Sequence, residues 1–225
     1  ELFLHPHAQR RMAADLRDLS EIPQHQVFLC THSTHFVDME RYKNICMVRL
    51  DSRETGSSVR QCTRELFHSE PEKKKRFHMA RWINPDRGEM FFAKKVAFVE
   101  GETEAVIFPL LAHKLECFDS EISIVDCASK FKLPLYITIA KAFELPYIVV
   151  HDEDPLPDTT STEWKNLGND VKRLKENTFE FNNRIQDEVD STLGKIEIFC
   201  PDFEKVAGVS KSQGGKKGKA LTFIE

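Results

Sequence analysis

No apolar run in this chain approaches the roughly 20 residues that a bilayer-crossing helix needs, and no secretory leader is visible. No Cys-x-x-Cys pair exists among the six cysteines, which argues against a structural zinc site. No Gly-x-x-x-x-Gly-Lys-Ser/Thr loop occurs, so the phosphate cradle of P-loop ATPases is missing and ATP binding by these residues alone is not expected. There is no basic excess: 32 Lys and Arg stand against 36 Asp and Glu, a net charge of −4, which excludes an argument for nucleic-acid binding from bulk charge. Cys30, Cys46 and Cys200 lie in apolar, strand-like runs and are expected to be buried thiols, which suits a reducing, cytoplasmic setting. The chain opens on Glu1-Leu2-Phe3-Leu4, which reads as the inside of a structural element, so a piece of a longer protein is expected.

What is present is enough apolar residue, 40% of 225, to bury a sizeable core. Residues 1–60 form one expected unit: a helix over 8–19, a buried strand over 26–30 ending in Thr31-His32-Ser33, a strand over 44–50, and turn residues over 53–58. Residues 61–94 read as a connector, charged and mostly helical from 66 to 82, with a turn at 84–88. From 95 to 225 strand and helix alternate. Strands are expected at 96–99, 122–125, 147–150 and 196–200, and helices at 102–115, 133–143 and 170–193. Such alternation predicts an α/β fold with a parallel sheet.

Acids follow the first and third of these strands. Glu100 and Glu104 follow Val96-Ala97-Phe98-Val99, and Asp152 and Asp154 follow Tyr147-Ile148-Val149-Val150. Open α/β folds place their ligands at this carboxyl edge. Carboxylates gathered there repel one another unless a cation joins them, and an oxygen-only donor set suits Mg²⁺, Mn²⁺ or Ca²⁺. Glu100 leaves the strand and Glu104 enters the helix, so both can reach the edge, whereas the same spacing directs Glu102 and Thr103 elsewhere. Asp152 and Asp154 alternate along an extended strand end, with Glu153 facing away; an acidic turn before Pro155 is the plainer alternative. Glu204 follows the fourth strand and suits a further ligand, a role for which Asp202 competes. Lys130 sits in the turn after the second strand, as a solvent-facing lysine or a weak contact to DNA phosphate. Basic stretches at 73–76 and 211–219 could meet a phosphate backbone or be solvated surface. His151 reads as packing rather than a general base, and Trp82, Trp164 and the 17 phenylalanines as core.

Leu2-Phe3-Leu4-His5-Pro6, followed by Leu29-Cys30-Thr31-His32-Ser33, resembles ABC-type ATPases, in particular the branch of DNA-repair ATPases and OLD (overcoming lysogenization defect) nucleases. The resemblance makes Glu1 the last glutamate of the Walker B run and His32 the switch histidine. Phe92-Ala93-Lys94-Lys95-Val96 leading into Val99-Glu100-Gly101-Glu102-Thr103-Glu104, then Asp152-x-Asp154, resembles the Toprim domain of OLD-family nucleases. The branch, class 2 or Gabija GajA-like, stays open. The resemblance implies a Toprim-type parallel sheet flanked by helices at 95–225, preceded by the C-terminal part of an ABC ATPase domain at 1–60. It implies a DNA endonuclease of two-metal type. Glu100, Glu104, Asp152, Asp154 and Glu204 would be ligands of two Mg²⁺ or Mn²⁺ ions, with Ca²⁺ a non-productive substitute. Glu100, Asp152 and a late lysine, Lys219, would be catalytic, and Lys216 and Lys217 would lie near DNA. It also implies ATP use in the full-length protein only, a homodimer or larger assembly, a helicase-like partner in some relatives, no membrane, and phage defence. A topoisomerase-like tyrosine nucleophile is not expected, because Tyr42, Tyr136 and Tyr147 all read as structural. Two other readings stay open: another Toprim enzyme such as a primase, or a non-catalytic interaction module of a DNA-repair-type ATPase.

Overall fold

The short apolar runs of the second half become the strands of one sheet, and the helices between them cover it. The structure, a computed structural model, describes residues 3–37, 39–66 and 85–208. The chain divides into two units, Glu1–Phe92 and Ala93–Glu225. No helix among the described residues is long and apolar enough to cross a membrane.

In the first unit, α1 spans Pro6–Glu21. Proline at its first position has a φ already suited to a helix and no N–H to leave unpaired, and the His5 ring accepts from the His7 N–H. The strand expected at 26–30 is absent: residues 25–33 carry no regular structure, and Phe28 is 92% exposed. The run has strand composition, but among the described residues no ladder pairs with it, so its apolar side chains have nothing to bury against. β1 (Cys46–Ser52) and β2 (Gly56–Gln61) form an antiparallel hairpin in which Cys46 faces Gln61 and Ser52 faces Gly56. The turn is therefore shorter than expected, and residues 56–58 belong to a strand. Gly56, at φ +80, takes the left-handed conformation that the reversal requires. Met47, Tyr42 and Cys62 are buried beside the hairpin. The Tyr42 hydroxyl donates to Glu65 and accepts from the Leu66 N–H, and burial pushes it up to about 12.

In the second unit, β3 (Lys95–Val99), β4 (Ile122–Asp126), β5 (Tyr147–Asp152) and β6 (Gly194–Phe199) make a wholly parallel sheet in the order β4-β3-β5-β6. Parallel strands covered on both faces should be continuously apolar, and the two central strands are: Val96 to Val99 are all buried, as are Val149 and Val150. Among the described residues, five α-helices accompany the sheet: α2 (Glu102–Lys114), α3 (Leu133–Ala142), α4 (Thr162–Asn166), α5 (Asn169–Glu188) and α6 (Phe203–Val206). α3 is apolar nearly all round and supplies Leu133, Ile137, Ile139 and Ala140 to the core. The Phe98 ring lies between Tyr136, at 5.6 Å, and Tyr147, at 5.9 Å. α5 is the opposite case, polar except for a stripe from which Ile185 is fully buried.

The cysteine expectation is overturned. Cys30, Cys46 and Cys200 are exposed, whereas Cys62 and Cys127 are buried, and all six are free thiols. Cys30 lies in the run that pairs with no strand among the described residues, Cys46 faces outward at the open end of the hairpin, and Cys200 follows β6, an edge strand among the described residues.

Gly194 opens β6 beside Tyr147, and a Cβ there would run into the tyrosine ring. That ring is 4% exposed and its hydroxyl accepts from the Asp190 N–H, so it has little room to retreat. Gly194→Ala is therefore expected to destabilise the second unit by about 1–3 kcal/mol, the usual range for overpacking. Urea unfolding should show this as a lower midpoint with an unchanged slope.

Candidate active site

Three stretches of chain converge at the carboxyl end of the sheet. The turn from β3 into α2 brings Glu100 and Glu104, the end of β5 brings Asp152 and Asp154, and α6 brings Glu204. All five line one cleft of about 290 Å³, together with Gly101, Glu102, Thr103, Ala128, Ser129, Lys130, Phe131 and Thr178. Glu102 and Thr103, expected to point elsewhere, border the cleft as well, Glu102 remaining exposed.

Glu100 stands just past β3, and its Oε1 accepts the Asp152 N–H at 2.8 Å, tying the ends of two neighbouring strands. Burial pushes its carboxyl up to about 7. The Asp152 N–H and the Lys130 ammonium oppose that shift, while Asp152 and Asp154 add to it. Glu104 folds back toward the start of its own helix, where a Cβ on Gly101 would lie 3.7 Å from its Oε2. Burial pushes this carboxyl up to about 7 as well. The N–H groups of Glu104 itself and of Gly101 hold it down, and the charges of Asp152 and Glu204 raise it further.

Asp152 is the last residue of β5, paired with Phe199 of β6; the ladder to β3 ends two residues earlier, at Val99 and Val150. Its Oδ1 accepts the Phe203 N–H at 2.7 Å and so anchors the start of α6. Burial pushes it up to about 6, the Phe203 N–H opposes, and Asp154, Glu204 and Asp202 contribute repulsion. Asp154 reaches the cleft by a different route from the expected strand alternation. β5 ends at Asp152, and Asp154 turns with φ +50 while its N–H donates to the Pro201 carbonyl. Glu153 is not part of the cleft wall, and its carboxyl bonds with Cys200; its N–H extends the ladder to the Phe199 carbonyl, and its own carbonyl accepts from Asn182. Between the two acids after β6, Asp202 caps α6 by accepting the Lys205 N–H at 2.9 Å, and Glu204 lines the cleft.

Lys130 departs furthest from expectation. It is no solvent-facing turn residue, being 3% exposed with its ammonium inside the acidic cleft. His151 is 2% exposed and absent from the cleft wall. Its Nδ1 lies 2.7 Å from the Asp152 carbonyl, and burial lowers its pKa, so it packs as a neutral ring. Trp164 is buried. In the first unit His32 is exposed, with its ring 6.3 Å from that of Phe92. Glu1, Leu2, Trp82, the basic stretches at 73–76 and 211–219, and with the latter Lys216, Lys217 and Lys219, lie outside the described residues. Phe131 and Thr178 were not singled out by sequence; Phe131 follows Lys130 directly and could have been found with it.

The donor chemistry fits a hard divalent cation: carboxylates alone, three of them raised by burial and mutual repulsion, which a cation would relieve. Among the described residues, no three His, Cys, Asp or Glu side chains are already grouped so as to hold an ion as they stand.

Residues 91–154 match the family described as overcoming lysogenization defect protein-like, TOPRIM domain, a span that runs from just before β3 to Asp154. Over its whole length the chain is similar to an OLD nuclease of Thermus scotoductus, with 29% identity over 233 residues. The chain spans 42% of the length of that relative. With a parallel four-stranded sheet that carries its acids at the carboxyl ends of β3 and β5, the chain contains an OLD-family Toprim region.

Proposed function

We propose that the acidic cleft of the second unit hydrolyses DNA phosphodiester bonds in a reaction that depends on divalent cations. The observation that carries this reading is the meeting of five carboxylates from three chain segments in one cleft, three of them held well above the ordinary carboxylate range. Glu100, Glu104, Asp152, Asp154 and Glu204 are the residues that would hold two Mg²⁺ or Mn²⁺ ions, which when bound supply charge stabilisation at phosphate oxygens and an acidified water. The chain's own part is to fix those donors. The Glu100–Asp152 hydrogen bond sets the spacing between the β3 and β5 acids, and the Asp152–Phe203 bond sets α6, and so Glu204, against them. Lys219 remains the proposed lysine for charge developing on phosphate, with Lys216 and Lys217 beside it. Assignment of residues 1–60 to an ABC-type ATPase domain with His32 as its switch histidine, ATP coupling and assembly in a longer protein, a cytoplasmic setting and a part in phage defence belong to the same proposal. The name of the Thermus relative supports the nuclease class.

Supercoiled plasmid incubated with the 225-residue chain should be nicked or linearised with Mg²⁺ or Mn²⁺ and stay intact in EDTA. Equal cleavage in EDTA would sink the cation-dependent reading, and nucleotide incorporation without cleavage would point to a primase-type reaction instead.

A further inference from the structure

Lysine is almost never fully buried unless its charge is paired, yet Lys130 is 3% exposed. Local backbone puts it there. Ala128, at φ +61, turns the chain back after β4, its N–H held by Asp126 at 2.6 Å. Ser129 then caps the single 3-10 turn Lys130–Lys132 by accepting the Phe131 N–H. An ammonium has three N–H groups and needs three acceptors. The fold supplies them from the segment just after β5: the Asp152 carbonyl, the Glu153 carbonyl at 3.4 Å and Asp154 Oδ2 at 3.2 Å. Glu100 Oε1 lies 4.0 Å away. The described wall of the cleft holds six acids, Glu100, Glu102, Glu104, Asp152, Asp154 and Glu204, and Lys130 is its only described cationic side chain.

We propose that Lys130 is a resident cation of the acidic cleft, a positioning residue that holds the 152–154 turn and Asp154 in place before any ion binds and that a bound divalent cation must compete with for Asp154. This rests on the cation-dependent reading of the same cleft. Two features carry it. The two backbone carbonyls make the ammonium part of the wall rather than a loose surface charge. The ion pair to Asp154 holds that carboxylate on Lys130, and the same ammonium offsets part of the charge of Glu100, 4.0 Å away. An entering dication meets a like charge within the cleft, and in a partly buried site such repulsion is weakly screened.

The test is a double-mutant cycle, read without and with ions. In EDTA, Lys130→Met, which keeps the alkyl stem and removes the charge, should lower the thermal midpoint by roughly 5–10 °C, because Asp154 and Glu100 are left uncompensated. Adding Asp154→Asn should recover a good part of that loss, whereas a lysine needed only to fill space would show no recovery. In calorimetric titration with Mn²⁺ alone, Lys130→Met should bind about tenfold or more tightly than the wild type, since the competing charge is gone. If Lys130→Met does not fold, Lys130→Met/Asp154→Asn decides: a folded double variant supports the proposal, and an unfolded one overturns it. An unchanged midpoint in EDTA, no recovery by Asp154→Asn, or weaker Mn²⁺ binding by Lys130→Met each overturns it. Absence of Mn²⁺ binding by the wild-type chain would instead remove the cation-dependent function, and the cycle in EDTA would still decide whether Lys130 is the cleft's own cation.

Discussion

Asp152→Ala is expected to reduce Mn²⁺-supported plasmid cleavage by about a thousandfold or more. Stabilising developing phosphate charge is commonly worth several kcal/mol, and each 1.4 kcal/mol or so is a factor of ten in rate. Asp152 is singled out among the five acids because it is bonded in two directions. Its N–H donates to Glu100 Oε1 and its carboxylate accepts the Phe203 N–H, so it connects the β3 acids to α6, the element that carries Glu204. The alanine variant loses an acid and the anchor of α6 together. Asp152→Asn separates the two: an amide oxygen can still accept from Phe203 but carries no charge. Single-turnover cleavage should therefore fall steeply for both variants, while the thermal midpoint in EDTA should be clearly lower for alanine than for asparagine, which keeps the Phe203 bond and sheds a carboxylate held above its ordinary range. If Asp152→Asn cleaves within about tenfold of the wild type, the Asp152 charge has no part in the reaction.

The strands of the second unit were legible because each is a run of β-branched and aromatic residues bounded by turn residues, and every one lies within a residue or two of its expected place. The convergence of Glu100, Glu104, Asp152, Asp154 and Glu204 was legible for the same reason, since an acid placed just after a parallel strand can only lie at the carboxyl edge. What failed depended on partners rather than composition. Residues 26–30 have the same apolar make-up as β5, but among the described residues no strand pairs with them, and a strand is defined by its ladder. β2 was missed for the converse reason. Gly56-Ser57-Ser58 reads as a turn, and only pairing with β1 makes it a strand. Lys130 was misjudged because its burial is set by carbonyls 22 and 23 residues away, which no local pattern records. Asp154 was placed rightly for a wrong reason, since a left-handed turn rather than strand alternation brings it to the cleft.

In EDTA at pH 8, Glu104→Gln is expected to be more stable than the wild type by roughly 1–3 kcal/mol. The range converts its shift from 4.5 to about 7 and is discounted for partial exposure. For an acid the raised value means that the folded chain takes up a proton more readily than the unfolded one. Ionised Glu104 therefore opposes folding. The penalty is absent below the unfolded value of 4.5, grows as pH rises toward 7, and is complete above it. Glu104 is a better choice than Glu100, because Glu100 gains from the Lys130 ammonium and the Asp152 N–H, whereas the side-chain charges acting on Glu104 are those of Asp152 and Glu204. A glutamine keeps an oxygen for the N–H groups at the start of α2 and removes the charge. Comparing variant and wild type at the same pH cancels what the other acids do. The gain in thermal midpoint should be several degrees at pH 8 and vanish near pH 4.5. Saturating Mg²⁺ should reverse the order, because a dication relieves the repulsion in the wild type and finds one ligand fewer in the variant. An equal gain at both pH values would assign the effect to packing, and no gain at pH 8 would show that Glu104 is not held above the ordinary carboxylate range.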